Sequence, residues 1–280
     1  MRHTAECSDN FRVLDESFER NFSDSLHKQD SEYIHELRVT IKKIKAFFHL
    51  LESASAGFDA GKSFRIYKKI FKRAGRVRDW HVQLMLLDRL EKELNLSLPS
   101  QRLKIREYVR KEYEAFREYS KTVDKDFHNK VSKHVLNILK KDFSPTRANG
   151  YILRQAHELV YIANQPEMDF KDLHKFRILL KDYFYNIGYM NDCRQRNIFI
   201  TKHIDRINGL QDDIGKWHDQ ITMFDFLIRY RQGRRFAKVE LRVIQKLQDH
   251  LQKDTQEMTE NLVKRFPRLV SDLMKIDRLL

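Results

Sequence analysis

The chain has 280 residues, enough for one large domain or two of ordinary size, with a core that needs no covalent staples. A hydrophobic share of 41% excludes wholesale disorder, and 8 Gly with 4 Pro are too few for a protein rich in strands and tight turns, so the fold expected is all-α. The 54 Lys and Arg against 40 Asp and Glu leave a formal charge of +14, which bears on partners rather than on fold and points to phosphate-rich polyanions or an anionic surface.

Apolar residues at three- and four-residue spacing predict a first helix over about 9–30, carried by Phe11, Leu14, Phe18, Phe22 and Leu26. Ser31 reads as the N-cap of a second helix over about 32–53, with Ile34, Leu37, Ile41, Ile44, Phe48 and Leu51 on its apolar face. A third helix over about 61–74 is expected to stop near Gly75, and another to run from Asp79 to Leu94. Pro99 opens a long charged helix to about residue 125, and a further segment reaches Lys141. FSPTRANG (143–150) reads as the linker between a first bundle, 1–142, and a second, 151–280. Beyond it come a helix to about 165 broken at Pro166, one capped by Asp169 and running to about 191, a long segment over 195–232, a break at RQGRR (231–235), and helix to the end with a bend near Pro267.

The second half repeats the first. IHELRVTIKKIKAFFHLLE (34–52) resembles LHKFRILLKDYFYNIGYM (173–190), pairing His35 with His174, Arg38 with Arg177 and Lys42 with Lys181. YKKIFKRAGRVRDWHVQLMLLDRL (67–90) resembles INGLQDDIGKWHDQITMFDFL (207–227), pairing Gly75 with Gly215 and Asp79 with Asp219 at nearly the same offset. Residues three and four apart share a helical face. His35, Arg38, Lys42 and Lys45 therefore form a basic stripe along about 15 Å of axis, at 1.5 Å per residue, and His174, Arg177 and Lys181 form its shorter counterpart. Residues 34–90 hold 13 Lys and Arg against 5 acids, whereas 173–227 hold 8 against 7, so the first copy carries the charge. Arg65, Lys68, Lys69, Lys72, Arg73 and Arg76 follow one another with little relief, an arrangement that an anion would stabilise.

These motifs resemble the conserved histidine α-helical domain, the CHAD family, over about residues 10–280. The likeness rests on His35-Glu-Leu-Arg38 with Lys42 and Lys45, on His174-Lys-Phe-Arg177 with Lys181, on Gly75-Arg-Val-Arg78-Asp79, and on Gly215-Lys-Trp-His218-Asp219. It implies two helical bundles related by a pseudo-two-fold axis, a basic channel where they meet, and inorganic polyphosphate as the ligand of a stand-alone, non-catalytic module without cofactor or metal. Carried over by position, the contacts are His35, Arg38, Lys42, Lys45, Lys68, Lys72 and Arg78, with His174, Arg177 and Lys181 from the second copy. Arg73 and Arg76 join them by charge and proximity alone. The second copy departs from the pattern: Phe184 stands at the place of Lys45, Asn208 and Asp212 at those of Lys68 and Lys72, and Asp182 lies beside Lys181. Its contribution is expected to be smaller.

Polyphosphate suits such a surface because it carries charge without bases, and Arg forks with mobile Lys ammoniums answer charge alone. Nucleic acid is the competing polyanion, although no zinc-finger spacing, RNP signature or long basic arm accompanies the charge. Gly57-Phe-Asp-Ala-Gly61-Lys62-Ser63 is one residue short of a P-loop and follows a helix instead of a strand. His35-Glu36 does not extend to a zinc-protease motif, and Cys7 and Cys193 form no metal pattern and no disulfide framework. An N-terminus without an apolar signal core and the absence of a long apolar run lead to the expectation of a cytoplasmic protein without a membrane span, one that could associate with polyphosphate granules.

Overall fold

The computed structural model describes residues 2–28, 30–165, 168, 170–193, 197–231 and 238–276. Among them are eleven α-helices and no strand: α1 Arg2–His27, α2 Ser31–Ala54, α3 Ala60–Ser63, α4 Arg65–Leu94, α5 Pro99–Ser120, α6 Lys125–Lys141, α7 Pro145–Ala163, α8 Phe170–Asp192, α9 Ile198–Arg231, α10 Lys238–Val263 and α11 Phe266–Ile276. The expected break at Pro166, the Asp169 cap and all of RQGRR after Arg231 lie outside the described residues.

Three local expectations are corrected. Asp30, not Ser31, caps α2, its carboxylate accepting from the Glu32 amide at 2.9 Å. Gly75 does not end a helix; α4 runs through it without interruption to Asn95, which takes the left-handed conformation (φ 48°) and closes the helix. The stretch 143–150 is mostly helix. Ser144 caps α7 by accepting from the Arg147 amide, Pro145 fits the first turn where its missing N–H is not needed, and Ala148 and Ile152 are sealed in the core. The connection between α6 and α7 is thus only three residues long. The P-loop-like segment is a helix start, with Asp59 accepting from the Lys62 amide at 2.7 Å to cap α3.

The packing of the second half follows that of the first. α1 packs on α2 and α6, as α7 packs on α8 and α11; α2 meets α4 as α8 meets α9; α4 pairs with α5 as α9 pairs with α10. Across the halves, α2 lies against α8 and α4 against α9. One large core draws on both: Ile34, Leu37 and Ile41 of α2 with Phe176, Leu180 and Tyr183 of α8, closed by α1, α6, α7 and α11. The long helices α4 and α9 project beyond it. Their C-terminal halves, with α5 and α10, enclose a second, smaller core of Leu86, Leu90, Ile105, Phe226, Leu227, Ile244 and Leu247. Each half also buries one tyrosine–histidine hydrogen bond, Tyr67–His128 (2.8 Å) and Tyr183–His203 (3.0 Å). No helix among the described residues is long and apolar enough to cross a membrane.

Candidate functional site

The apolar faces of α2 and α8 point into the large core. The residues one step around each helix therefore line the seam between them, and these are His35, Arg38 and Lys42 on α2 and His174, Arg177 and Lys181 on α8. Arg78 and Asp79 of α4, with His218 and Asp219 of α9, flank the seam where those two helices meet.

Arg38 is held in place by its neighbours. Its guanidinium lies 4.4 Å from the centre of the Phe71 ring, donates to the Phe71 carbonyl at 3.3 Å, and stands 3.8 Å from the Asp79 carboxylate. Only 16% of the side chain is exposed. The guanidinium lies directly on α4 at Gly75, where a β-carbon would collide with Nη1. This explains a glycine inside a helix, where it ordinarily costs about 1 kcal/mol relative to Ala. The equivalent space over Gly215 is open, so Arg177 does not repeat the arrangement.

The cations of the seam act on one another. Burial, then Lys181, Arg38 and Arg177, push the Lys42 ammonium down to about 7. Burial and Arg177 bring Lys181 to about 8. Burial lowers Arg38 and Arg177 from the ordinary arginine value despite Asp79 and Asp219 respectively. His35 is lowered by burial and by Arg78, and His218 falls to about 4 through burial, Arg177, His174 and Lys181. Arg38, Lys42, Arg78, Arg177 and Lys181 are thus five cations against three acids, Asp79, Asp212 and Asp219. Several polar atoms in this region are sealed from water with no protein partner: the Arg78 Nη1 and Arg177 Nε donors, and the ring Nδ1 of His81 and of His218, whose donor or acceptor role depends on tautomer. Unpaired buried polar atoms are costly and mark places where a ligand can supply what the chain does not.

Of the residues expected from sequence, His35, Arg38, Lys42, Arg78, His174, Arg177 and Lys181 come together. Lys45 does not join them: it faces Asp182 across the seam at 3.9 Å, beside His49 at 4.0 Å from the same carboxylate. Lys68 and Lys72 are exposed on the face of α4 that carries Gly75 and Asp79, on the approach to Arg38. Arg73 and Arg76 turn towards α5, Arg73 over the Tyr119 ring (5.7 Å) and Arg76 to Glu112 (3.8 Å). Their adjacency in sequence is undone by the rotation of the helix. His81 and His218 are not among the contacts expected from sequence, although His218 stands in the Gly215–Asp219 motif. The signal for His218 was its place before Asp219, matching Arg78 before Asp79; its ring centre lies 5.4 Å from that of His174. Among the described residues, Glu32, His35 and Glu36 could bring ligand atoms within 4.8 Å of one another for a cation, but both acids are exposed neighbours on one turn, a common arrangement without a metal.

A family model described as the CHAD domain matches residues 16–228. No curated protein sequence matches the chain. The crystal structure of the CHAD domain from the plant Ricinus communis superposes with a TM-score of 0.75 at 15% identity, covering 97% of this chain and 91% of that one. PptA from Streptomyces chartreusis superposes with a TM-score of 0.67 at 12% identity, covering 95% of this chain and 99% of its own. At these identities the likeness speaks for the fold.

Proposed function

The chain belongs to the CHAD domain family, and we propose that it binds inorganic polyphosphate, without transforming it, along the cationic seam between α2 and α8. The observation that carries this reading is the convergence of Arg38, Lys42, Arg177 and Lys181 on the seam where α2 packs against α8, close enough that burial and mutual repulsion depress both ammoniums. Such a cluster is unfavourable by itself, and an anion that bridges its members relieves both the repulsion and the unpaired donors. Polyphosphate offers closely spaced charges with oxygen acceptors on every side, to which Arg presents forks and Lys point charges. Arg38 is the fixed post, and Lys42, Lys181, Arg177 and Arg78 close around it, with His35 and His174 at one end and Lys68 and Lys72 on the approach. In this reading the two halves, divided between α6 and α7, are copies of one unit about a pseudo-two-fold axis, and the second contributes less charge. A cytoplasmic chain with this face would be drawn to polyphosphate granules.

Replacing Arg38 and Lys42 together by alanine is expected to weaken long-chain polyphosphate binding at least tenfold while leaving thermal unfolding cooperative; unchanged affinity at matched salt would remove the seam as the site. Competition separates this reading from nucleic-acid binding. Polyphosphate should displace DNA of matched charge at about 0.15 M salt, where exposed charges are screened beyond about 8 Å, and the reverse order would favour DNA.

A further inference from the structure

A cleft of about 330 Å³ opens beside the cationic seam, walled by Asp79, Trp80 and Gln83 of α4, Tyr108 of α5, and Thr222, Phe226, Arg229 and Tyr230 of α9. Its volume is at the lower end of small-molecule pockets. Trp80 and Tyr108 are stacked with ring centres 4.4 Å apart, and Phe226 meets Trp80 edge-on at 5.5 Å. Gln83 is 3% exposed, and its carboxamide oxygen has no hydrogen-bond partner. Asp79 belongs to both places: it faces Arg38 on one side and lines the cleft on the other.

We propose that this cleft takes the adenosine end of an adenine nucleoside triphosphate whose phosphates enter the cationic seam. The proposal rests on the seam being a phosphate site, and goes beyond it in assigning a second compartment and a base. From Asp79 to Gln83 the helix rises about 6 Å, at 1.5 Å per residue, roughly the span of a ribose between base and phosphates. The Asp79 carboxylate, 66% exposed, is placed to accept from ribose hydroxyls. An adenine ring set against the Trp80–Tyr108 stack extends it, since every base has a π-face to offer. The Gln83 carboxamide oxygen is buried in the wall without a hydrogen-bond partner, and adenine answers it: N6–H donates to the oxygen while N7 accepts from the amide N–H. Guanine shows two acceptors, O6 and N7, along that edge and leaves the oxygen unpaired. Inorganic chains fill the seam only, so the two ligand classes share the phosphate portion and compete.

The test compares ATP, GTP, inorganic tripolyphosphate and long-chain polyphosphate on the whole protein at one pH and salt, without divalent cations. Tripolyphosphate carries at least the charge of ATP, so preference for ATP must come from adenosine. ATP is expected to bind at least tenfold more tightly than tripolyphosphate and to outbind GTP. Gln83→Leu should bring ATP and GTP together, and Trp80→Leu should reduce ATP to the affinity of tripolyphosphate, both variants retaining long-chain polyphosphate binding. If polyphosphate binds and ATP is no tighter than tripolyphosphate, the cleft is not a nucleoside site. A preference for ATP that survives both substitutions overturns the cleft as its cause. Should polyphosphate itself not bind the unaltered protein, the seam reading fails first and this one with it.

Discussion

A single pair of glycines separates the two roles such a residue can have. Gly75 is where Arg38 lies down on α4, whereas the space over Gly215 is empty. Gly215→Ala should therefore stabilise the fold by up to about 1 kcal/mol of helix propensity, seen as a higher melting temperature, with polyphosphate affinity unchanged. Gly75→Ala gains the same propensity, but its β-carbon would displace the Arg38 guanidinium from its place on α4, so it should leave the fold intact and weaken polyphosphate binding several-fold. Melting curves and titrations on the two variants check this, and equal binding losses would contradict it. Protonation adds a second expectation. Lys42 and Lys181 have folded values near 7 and 8, below the ordinary 10.5, so between these limits the unfolded chain holds more protons and stability rises with pH. A bound polyanion favours the charged ammoniums and raises both values. Binding near pH 7.5 should thus take up protons, measurable by calorimetry in buffers of different ionisation enthalpy, and affinity should fall as pH rises from about 7 to 9. Lys42→Arg, which does not titrate in this range, should flatten that fall. The stripe His35, Arg38, Lys42 was legible from spacing alone, because helical periodicity places such residues on one face. The roles of Gly75 and of Arg73 and Arg76 were not. A glycine reads as a stop until the side chain lying over it is known, and a count of charges is blind to which way each one turns.

Caps and connections decide how the helices are joined, and here the sequence was read less well than along the helix faces. Apolar spacing placed α2 to within a residue at each end and α1 too far along the chain, at about 9–30 against Arg2–His27, while Pro99 marked the start of α5. Pro, Asn and Gly between 143 and 150 looked like a linker, yet Pro145 suits a first turn, and the burial of Ala148 and Ile152 outweighs the local cost of Asn149 and Gly150. One carboxylate at this junction holds a loop from elsewhere in the chain. Asp142 accepts from the amides of Ala56 (2.7 Å) and Gly57 (3.2 Å), tying the α2–α3 connection to the end of α6. Asp142→Ala should cost about 1–2 kcal/mol, the loss of two bonds to a charged acceptor at an exposed site, and leave polyphosphate affinity alone. Denaturant unfolding followed by a binding titration checks both halves of that expectation.

Across the whole molecule, the charge asymmetry expected from sequence has a spatial counterpart: the first half supplies Arg38, Lys42 and Arg78, and the second supplies Arg177 and Lys181 with two acids, Asp212 and Asp219, facing Lys181. What spacing did not reveal is that both walls of the seam are rooted in one core. Ile34, Leu37 and Ile41 beneath the first stripe, and Phe176, Leu180 and Tyr183 beneath the second, belong to the same buried cluster. Walls set in a common foundation cannot swing apart on a hinge. On the reading proposed above, a long polyanion is laid against walls that already stand in place, so the ordering that binding requires falls on the ligand rather than on the protein.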